Sequence, residues 1–374
     1  MSVSYLDPAS GRTWSIDTPR WCGDAGQPLL LTPMPGIGRD DIDTAARSLW
    51  RYRAALPLPC DEPISMGEGW TPLLERRCNG ARALLKCEWM MPTGSFKDRG
   101  AAVMLSLLRA QGVRAVLEDS SGNGGAAVAA YAAAGGMAAT IMAPASTSPA
   151  KTVAMRAAGA TVELVPGSRQ ATSEAALARS ASVFYASHAW QPFFLHGTKT
   201  LAYELWEQLG FRAPDAVIAP CGGGSNVLGC AIGFGELLRA GQITRMPRLF
   251  AAQPERCAPI VAALAGRDAV VSGEPTIAEG TAIARPVRLR EVVDALHESG
   301  GGAVALAEEE IAAATLELGR MGIGVEPTSA QAYAAHRRLL ASGEIEPGEA
   351  CVLVLTGSAL KATPTIAGLL GVAL

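Results

Sequence analysis

The chain has 374 residues, 49% of them hydrophobic, and 32 Lys plus Arg nearly balance 35 Asp plus Glu for a net charge of −3. That length allows two domains, and the lack of a basic stripe or a long charge run excludes a nucleic-acid footprint or a charged tail. The opening MSVSYLDPAS has no charged region followed by an apolar one, so no signal peptide is expected. Eight scattered cysteines without a CxxC pair signal neither a zinc knuckle nor a redox couple. The cytoplasm is the expected compartment, where disulfides are not needed.

In chain order, several segments repeat one pattern: a short apolar run, a Gly- or Ser-rich turn, then an Ala/Leu-rich helix. RAVLEDS (114–120) leads through SGNGG into a helix from Ala126. The uncharged run 126–143 is long enough to suggest a membrane span, but it is mostly alanine and Gly135-Gly136 divides it. It predicts a buried helix, a Gly stop and a short strand, ATIMAP. A helix from about Lys151 follows, then the strand ATVELVPG and a helix around Ser173 to Arg179. DAVIAPC runs into GGGSN and a helix to about Ala240; ACVLVLT runs into GSALK. Strands alternating with helices predict an α/β fold with parallel sheets and ligands at the strand C-termini. Hinges are expected near 75–85 and 190–200.

Three turns and one lysine carry the chemistry. Ser120-Ser121-Gly122-Asn123-Gly124-Gly125 ends a strand and opens a helix, so backbone N–H groups and two hydroxyls are offered to a carboxylate or phosphate. Cys221-Gly222-Gly223-Gly224-Ser225-Asn226 fits neither a dinucleotide fingerprint nor a P-loop, and suits a single phosphate. Leu355-Thr356-Gly357-Ser358 puts two hydroxyls at a strand end. Lys97 is one of only five lysines, within MPTGSFKDRG. Ser95 and Asp98 fit a capping pattern that makes Ser95 the N-cap and puts Lys97 in the first helical turn. A cation there opposes the helix dipole, which favours the neutral amine that a Schiff-base lysine needs. A lysine of that kind, a one-phosphate cradle and a carboxylate turn are the parts of a site for pyridoxal phosphate and an amino acid.

The chain resembles the threonine synthase family of fold-type II pyridoxal-phosphate enzymes, within the tryptophan synthase beta-like superfamily. The likeness rests on GEGWTPL (67–73), PTGSFKDRG (92–100), SSGNGGAAVAAYAAAGG (120–136), GTKTLAYEL (197–205), GGGSN (222–226), GVEPTSAQA (324–332) and TGSALK (356–361). The resemblance implies two domains, each an open, mostly parallel sheet flanked by helices, with the cofactor in the cleft between them. It implies that Lys97 links to the cofactor and moves protons at Cα. It gives Asn123 the cofactor's 3′-oxygen, and Ser120, Ser121, Gly122 and Gly124 the substrate carboxylate. Gly222, Gly223, Gly224, Ser225 and Asn226 would cradle the phosphate, and Thr356 would face the pyridine nitrogen. Glu326 is read as structural.

The sequence departs from the family pattern in several places. Met91 stands where asparagine is usual, and QPFFLHGTKT (191–200) puts Phe194 where an arginine helps hold the phosphate of O-phosphohomoserine. GSRQAT (167–172) offers Arg169 as a substitute charge. Asp7, Ser10, Cys22 and Ala25 take the four ligand positions of a zinc ribbon found in many relatives, so no metal is expected. The expected organisation is a degenerate ribbon-like extension (1–40), a large cofactor-binding domain (41–80 plus 200–374) and a small domain (81–199). The expected protein is a lyase acting on an amino acid's side chain, threonine synthase or a close relative, with no nucleic-acid or membrane partner and a homodimeric state. A threonine or serine dehydratase-like lyase, a β-replacement enzyme and a cofactor-binding subunit without turnover stay open.

Overall fold

The structure is a computed structural model that describes residues 3–268, 272 and 274–373. In chain order its strands and helices are β1 (Ser4–Leu6), β2 (Thr13–Ser15), β3 (Leu30–Leu31), β4 (Leu73–Cys78), β5 (Ala81–Lys86), α1 (Lys97–Ala110), β6 (Ala115–Glu118), α2 (Asn123–Ala134), β7 (Ala138–Pro144), α3 (Pro149–Ala157), β8 (Thr161–Val165), α4 (Arg169–Arg179), β9 (Phe184–Tyr185), α5 (Pro192–Thr198), α6 (Thr200–Gln208), β10 (Ala216–Pro220), α7 (Ser225–Arg239), β11 (Arg248–Pro254), α8 (Pro259–Leu264), α9 (Leu289–Glu298), β12 (Gly302–Leu306), α10 (Glu308–Arg320), α11 (Pro327–Ser342), β13 (Cys351–Val354) and α12 (Thr363–Leu370). The chain separates into two compact units, 1–69 with 97–200, and 70–96 with 201–374.

In the first unit, β8-β7-β6-β9 form a fully parallel sheet, with β6 between β7 and β9. The run that imitates a membrane span is α2, whose buried Ala127, Val128, Ala129, Tyr131 and Ala132 share one core with α1. Gly135 caps α2, and the chain then enters β7, as the Gly pair predicts. No helix among the described residues is long and apolar enough to cross a membrane. Residues 41–69, expected with the larger domain, belong to this unit. Trp50 Nε1 donates to buried Glu68 (2.7 Å), and the Tyr131 hydroxyl donates to the other oxygen (2.9 Å). The N-terminal β2-β1-β3 sheet is antiparallel and packs through Tyr5 into the same core. At the ribbon positions the Ser10 hydroxyl and Gln27 Nε2 (2.7 Å) both donate to one Asp7 oxygen. Ser10 thereby holds the Asp7 carboxyl below the usual carboxylate range.

The second unit is built on a six-stranded sheet, β12-β11-β10-β13-β5-β4, parallel except for β4. Residues 75–85 are therefore not a hinge. They form a hairpin whose two-residue turn, Asn79-Gly80, has φ +53° and +82°. Positive φ at both positions fits the right-handed twist of paired strands, and Asn-Gly tolerates it best. Residues 81–96, expected with the small domain, lie here because β5 pairs with β13 in the sheet interior. Buried Lys86 on β5 anchors the hairpin's base. Its Nζ donates to Thr71 O (2.7 Å), Glu204 Oε1 (2.5 Å) and Gln208 Oε1 (2.8 Å). Glu204 also accepts the Trp70 and Thr71 N–H groups, each at 2.8 Å.

Candidate active site

The first unit carries Lys97 and the 120–124 turn. Lys97 opens α1, as the dipole argument requires. Ser95 is not its N-cap. The Ser95 hydroxyl is buried and bonds no group among the described residues, while its backbone bridges to Gly357 and the neighbouring Phe96 N–H donates to Thr356 O (2.9 Å). This pairing commits the loop to an extended path until helix geometry starts at Lys97. Lys97 Nζ lies 5.6 Å from the centroid of Phe194, a fully buried ring on α5. The ring face favours the cation by about 0.5–1 kcal/mol, and the helix start disfavours it by a similar 0.3–1 kcal/mol.

The 120–124 turn leaves β6 and enters α2 with Gly122 as a cap that has no side chain. Ser120 and Gly124 are buried, while Ser121 and Asn123 are half-buried and Gly122 is exposed, so the turn has a solvent-accessible lip. Two acids at the end of β6 stand behind it. Asp119 accepts the hydroxyls of Tyr185 (2.8 Å), Ser187 (3.0 Å) and Ser173 (2.5 Å). Glu118 accepts the His188 N–H (3.0 Å) and faces its Nδ1 (2.9 Å). A methyl group on Gly124 would come within 2.8 Å of that same nitrogen, so the imidazole lies directly on the turn. His188 was not among the residues singled out from the sequence. Its signal was scarcity, with four histidines in the chain, but its partner is seventy positions away.

The second unit carries 222–226 and Thr356. Gly224 has φ +88° at the start of α7, a fifteen-residue helix. A side chain on Gly223 would meet nothing within 4 Å, so the middle of the cradle is open. Both polar atoms of the Asn226 side chain are buried and bond no group among the described residues. A phosphate suits this place, because it offers acceptors to backbone N–H groups at a helix N-terminus and to an otherwise unsatisfied amide. Thr356 follows β13, and its hydroxyl lies 2.9 Å from the Ser329 hydroxyl on α11. Ser329, a second residue passed over in the sequence, sits inside GVEPTSAQA. Glu326 packs against Gly357, whose carbonyl accepts the Glu326 N–H (3.0 Å).

The family model described as pyridoxal-phosphate dependent enzyme matches residues 64–357. The chain belongs to that family. It is 34% identical over 343 residues to a threonine synthase of Methanosarcina acetivorans, covering 88% of this chain and 84% of that one. It is 36% identical over 327 residues to a threonine synthase of Methanocaldococcus jannaschii, covering 84% and 80%. Among solved structures, the processed form of threonine deaminase isoform 2 from Solanum lycopersicum matches 95% of this chain and 96% of its own, with TM-score 0.72 and 24% identity. A threonine deaminase from T.th. matches 77% and 92%, with TM-score 0.64 and 29% identity. These neighbours and the helix-flanked, mostly parallel sheets make the fold that of the fold-type II pyridoxal-phosphate enzymes.

Proposed function

We propose that this chain is a threonine synthase-like lyase, which removes a leaving group from an amino acid's side chain and then adds water. The observation that carries the reading is the likeness to threonine synthases across four-fifths or more of both chains. Bound pyridoxal phosphate supplies a sink for the negative charge left when the Cα proton departs. Gly222, Gly223, Gly224, Ser225 and Asn226 would hold its phosphate, Asn123 its 3′-oxygen, and Thr356 its ring nitrogen. Lys97 removes the Cα proton and returns protons along the substrate. Ser120, Ser121, Gly122 and Gly124 hold the substrate carboxylate and so fix which Cα bond Lys97 meets. We place the enzyme in the cytoplasm, as a homodimer.

A dehydratase-like reaction on threonine or serine is the second reading, favoured by the buried Phe194 ring beside Lys97. An aromatic ring gives a phosphorylated side chain no charge partner. Arg169 opens α4 without an ion pair among the described residues.

A product assay separates the readings. The purified protein is offered O-phosphohomoserine, threonine, serine and O-acetylated analogues side by side. Phosphate release with threonine formation supports the synthase. Oxo acid and ammonia from threonine or serine support the dehydratase. The lysine assignment predicts a visible cofactor band that borohydride removes and that both Lys97→Ala and Lys97→Arg lack, since arginine does not give up its proton.

A further inference from the structure

We propose that His188 is the acid–base group for the oxygen on the substrate's side chain, with Glu118 as its positioning residue. The inference rests on the reading that Lys97 and the 120–124 turn receive the amino acid.

Glu118 has no exposed side-chain surface, and His188 retains 14%. Its carboxylate holds the histidine twice, at the main-chain N–H and at Nδ1. A carboxylate accepts only, so the ring proton is kept on Nδ1 and the Nε2 lone pair is left free in the neutral ring. No hydrogen bond among the described residues uses Nε2, and it is not among the buried unpartnered atoms. The backbone around the ring is also fixed. Ala186 N–H donates to Leu117 O (2.8 Å), and Asp119 grips Tyr185 and Ser187.

The ring lies beside the turn and beside the aromatic neighbour of Lys97. The imidazole lies on Gly124 of the carboxylate turn and 5.7 Å from the Phe194 ring. Lys97 Nζ stands 5.6 Å from the same Phe194 ring. Lysine and histidine thus approach one aromatic side chain, and the histidine also lies on the turn. The charged groups facing His188 are Glu118, Asp119 through Ser187, and Lys97 across the ring; the first turn of α2 adds no acid.

When water adds at Cβ, its oxygen bonds to carbon as the Cα–Cβ π pair shifts to Cα, and one of its protons passes to Nε2. The resulting imidazolium is balanced by Glu118 and gives the proton to solvent at its open edge. For a hydroxyl leaving group the reverse holds: Nε2 first takes a proton from solvent, the electron pair left at Cα when Lys97 removes the proton forms the Cα–Cβ double bond as the C–O bond breaks, and Nε2–H gives its proton to the departing oxygen as water leaves. General acid–base groups of this kind contribute roughly 10²–10⁴-fold.

The test uses the full-length holoenzyme, wild type, His188→Gln and Glu118→Gln. Product formation, Cα hydrogen exchange in D₂O and ¹⁵N histidine NMR are measured with each amino acid above. In His188→Gln, the oxygen step should fall about 100-fold or more and Cα exchange less than about five-fold. With O-phosphohomoserine, threonine gives way to oxo acid and ammonia; with serine or threonine as substrate, oxo-acid formation is lost. Glu118→Gln should show a mixed tautomer by NMR and an intermediate rate. Unchanged product formation in His188→Gln overturns the proposal, as does a parallel loss of exchange and product. Absence of Cα exchange in the wild type overturns the underlying function itself, and is distinguished by that.

Discussion

The Ser329 and Thr356 hydroxyls lie 2.9 Å apart, and Ser329 also accepts the Gly357 N–H (2.6 Å) and reaches Gly357 O (3.1 Å). Ser329 has one proton to give. If it donates to Thr356, the Thr356 proton is free for a ring nitrogen; if it donates to Gly357 O, Thr356 can donate to Ser329. Ser329 therefore sets which way the Thr356 hydroxyl points. Ser329→Ala is expected to raise the cofactor Kd about five- to tenfold, the value of one hydrogen bond, as measured by equilibrium titration of the apoprotein.

Gly223 and Gly224 are neighbours that should fail differently. A side chain on Gly224 would overlap Val292 and would sit at φ +88°. Gly224→Ala should lower stability by about 1–3 kcal/mol, visible in thermal melts of the apoprotein. Gly223 has open space around it, so Gly223→Ala should leave the melt unchanged within ~0.5 kcal/mol while the added methyl crowds the phosphate and weakens cofactor binding. Equal melting losses in both variants would contradict this.

Lys86→Met removes the cation from a buried ion pair and leaves Glu204 charged without it. The expected loss is about 3–5 kcal/mol in chemical denaturation. Adding Glu204→Leu should restore only part of it. The Trp70 and Thr71 N–H groups then lose their carboxylate acceptor, and a buried donor without a partner is costly.

The parallel sheets and α2 with its Gly stop were legible because each is written in consecutive residues. The unit boundaries were not. Asn79-Gly80 marks a hairpin turn locally, yet only the pairing of Val352 with Leu84 shows that β5 lies inside the larger sheet. Ser95 satisfied a capping pattern, and a tertiary pairing with Gly357 overrode it. Glu118 and His188 show the same limit: each is an ordinary polar residue until the fold brings β6 beside β9.

Acid should destabilise the fold through two histidines. Burial lowers the His336 pKa from its ordinary 6.5 to about 4, and burial followed by the Lys199 charge lowers that of His196. Both rings are neutral when folded and gain a proton more readily when unfolded. Stability is therefore full above pH 6.5 and declines as pH falls from 6.5 towards about 4. The slope is about 1.4 kcal/mol per pH unit for each ring, so His336 alone accounts for roughly 3 kcal/mol. Urea unfolding between pH 4 and 7 measures it, and His336→Gln should flatten the curve over that range.

The order in which the strands meet has a consequence for synthesis. The first unit holds nothing beyond Thr200, so all of its described chain is present once residue 200 has been added. The β4–β5 hairpin is made early, but its neighbour β13 spans Cys351–Val354, close to the end. At a ribosomal rate of about 5–20 residues per second, the β5 edge waits roughly ten seconds or more for its partner. During that interval an unpaired, apolar strand edge is open to a neighbouring nascent chain. Aggregation during expression is thus a hazard specific to the second unit, and slower initiation, which spaces the chains, should reduce it.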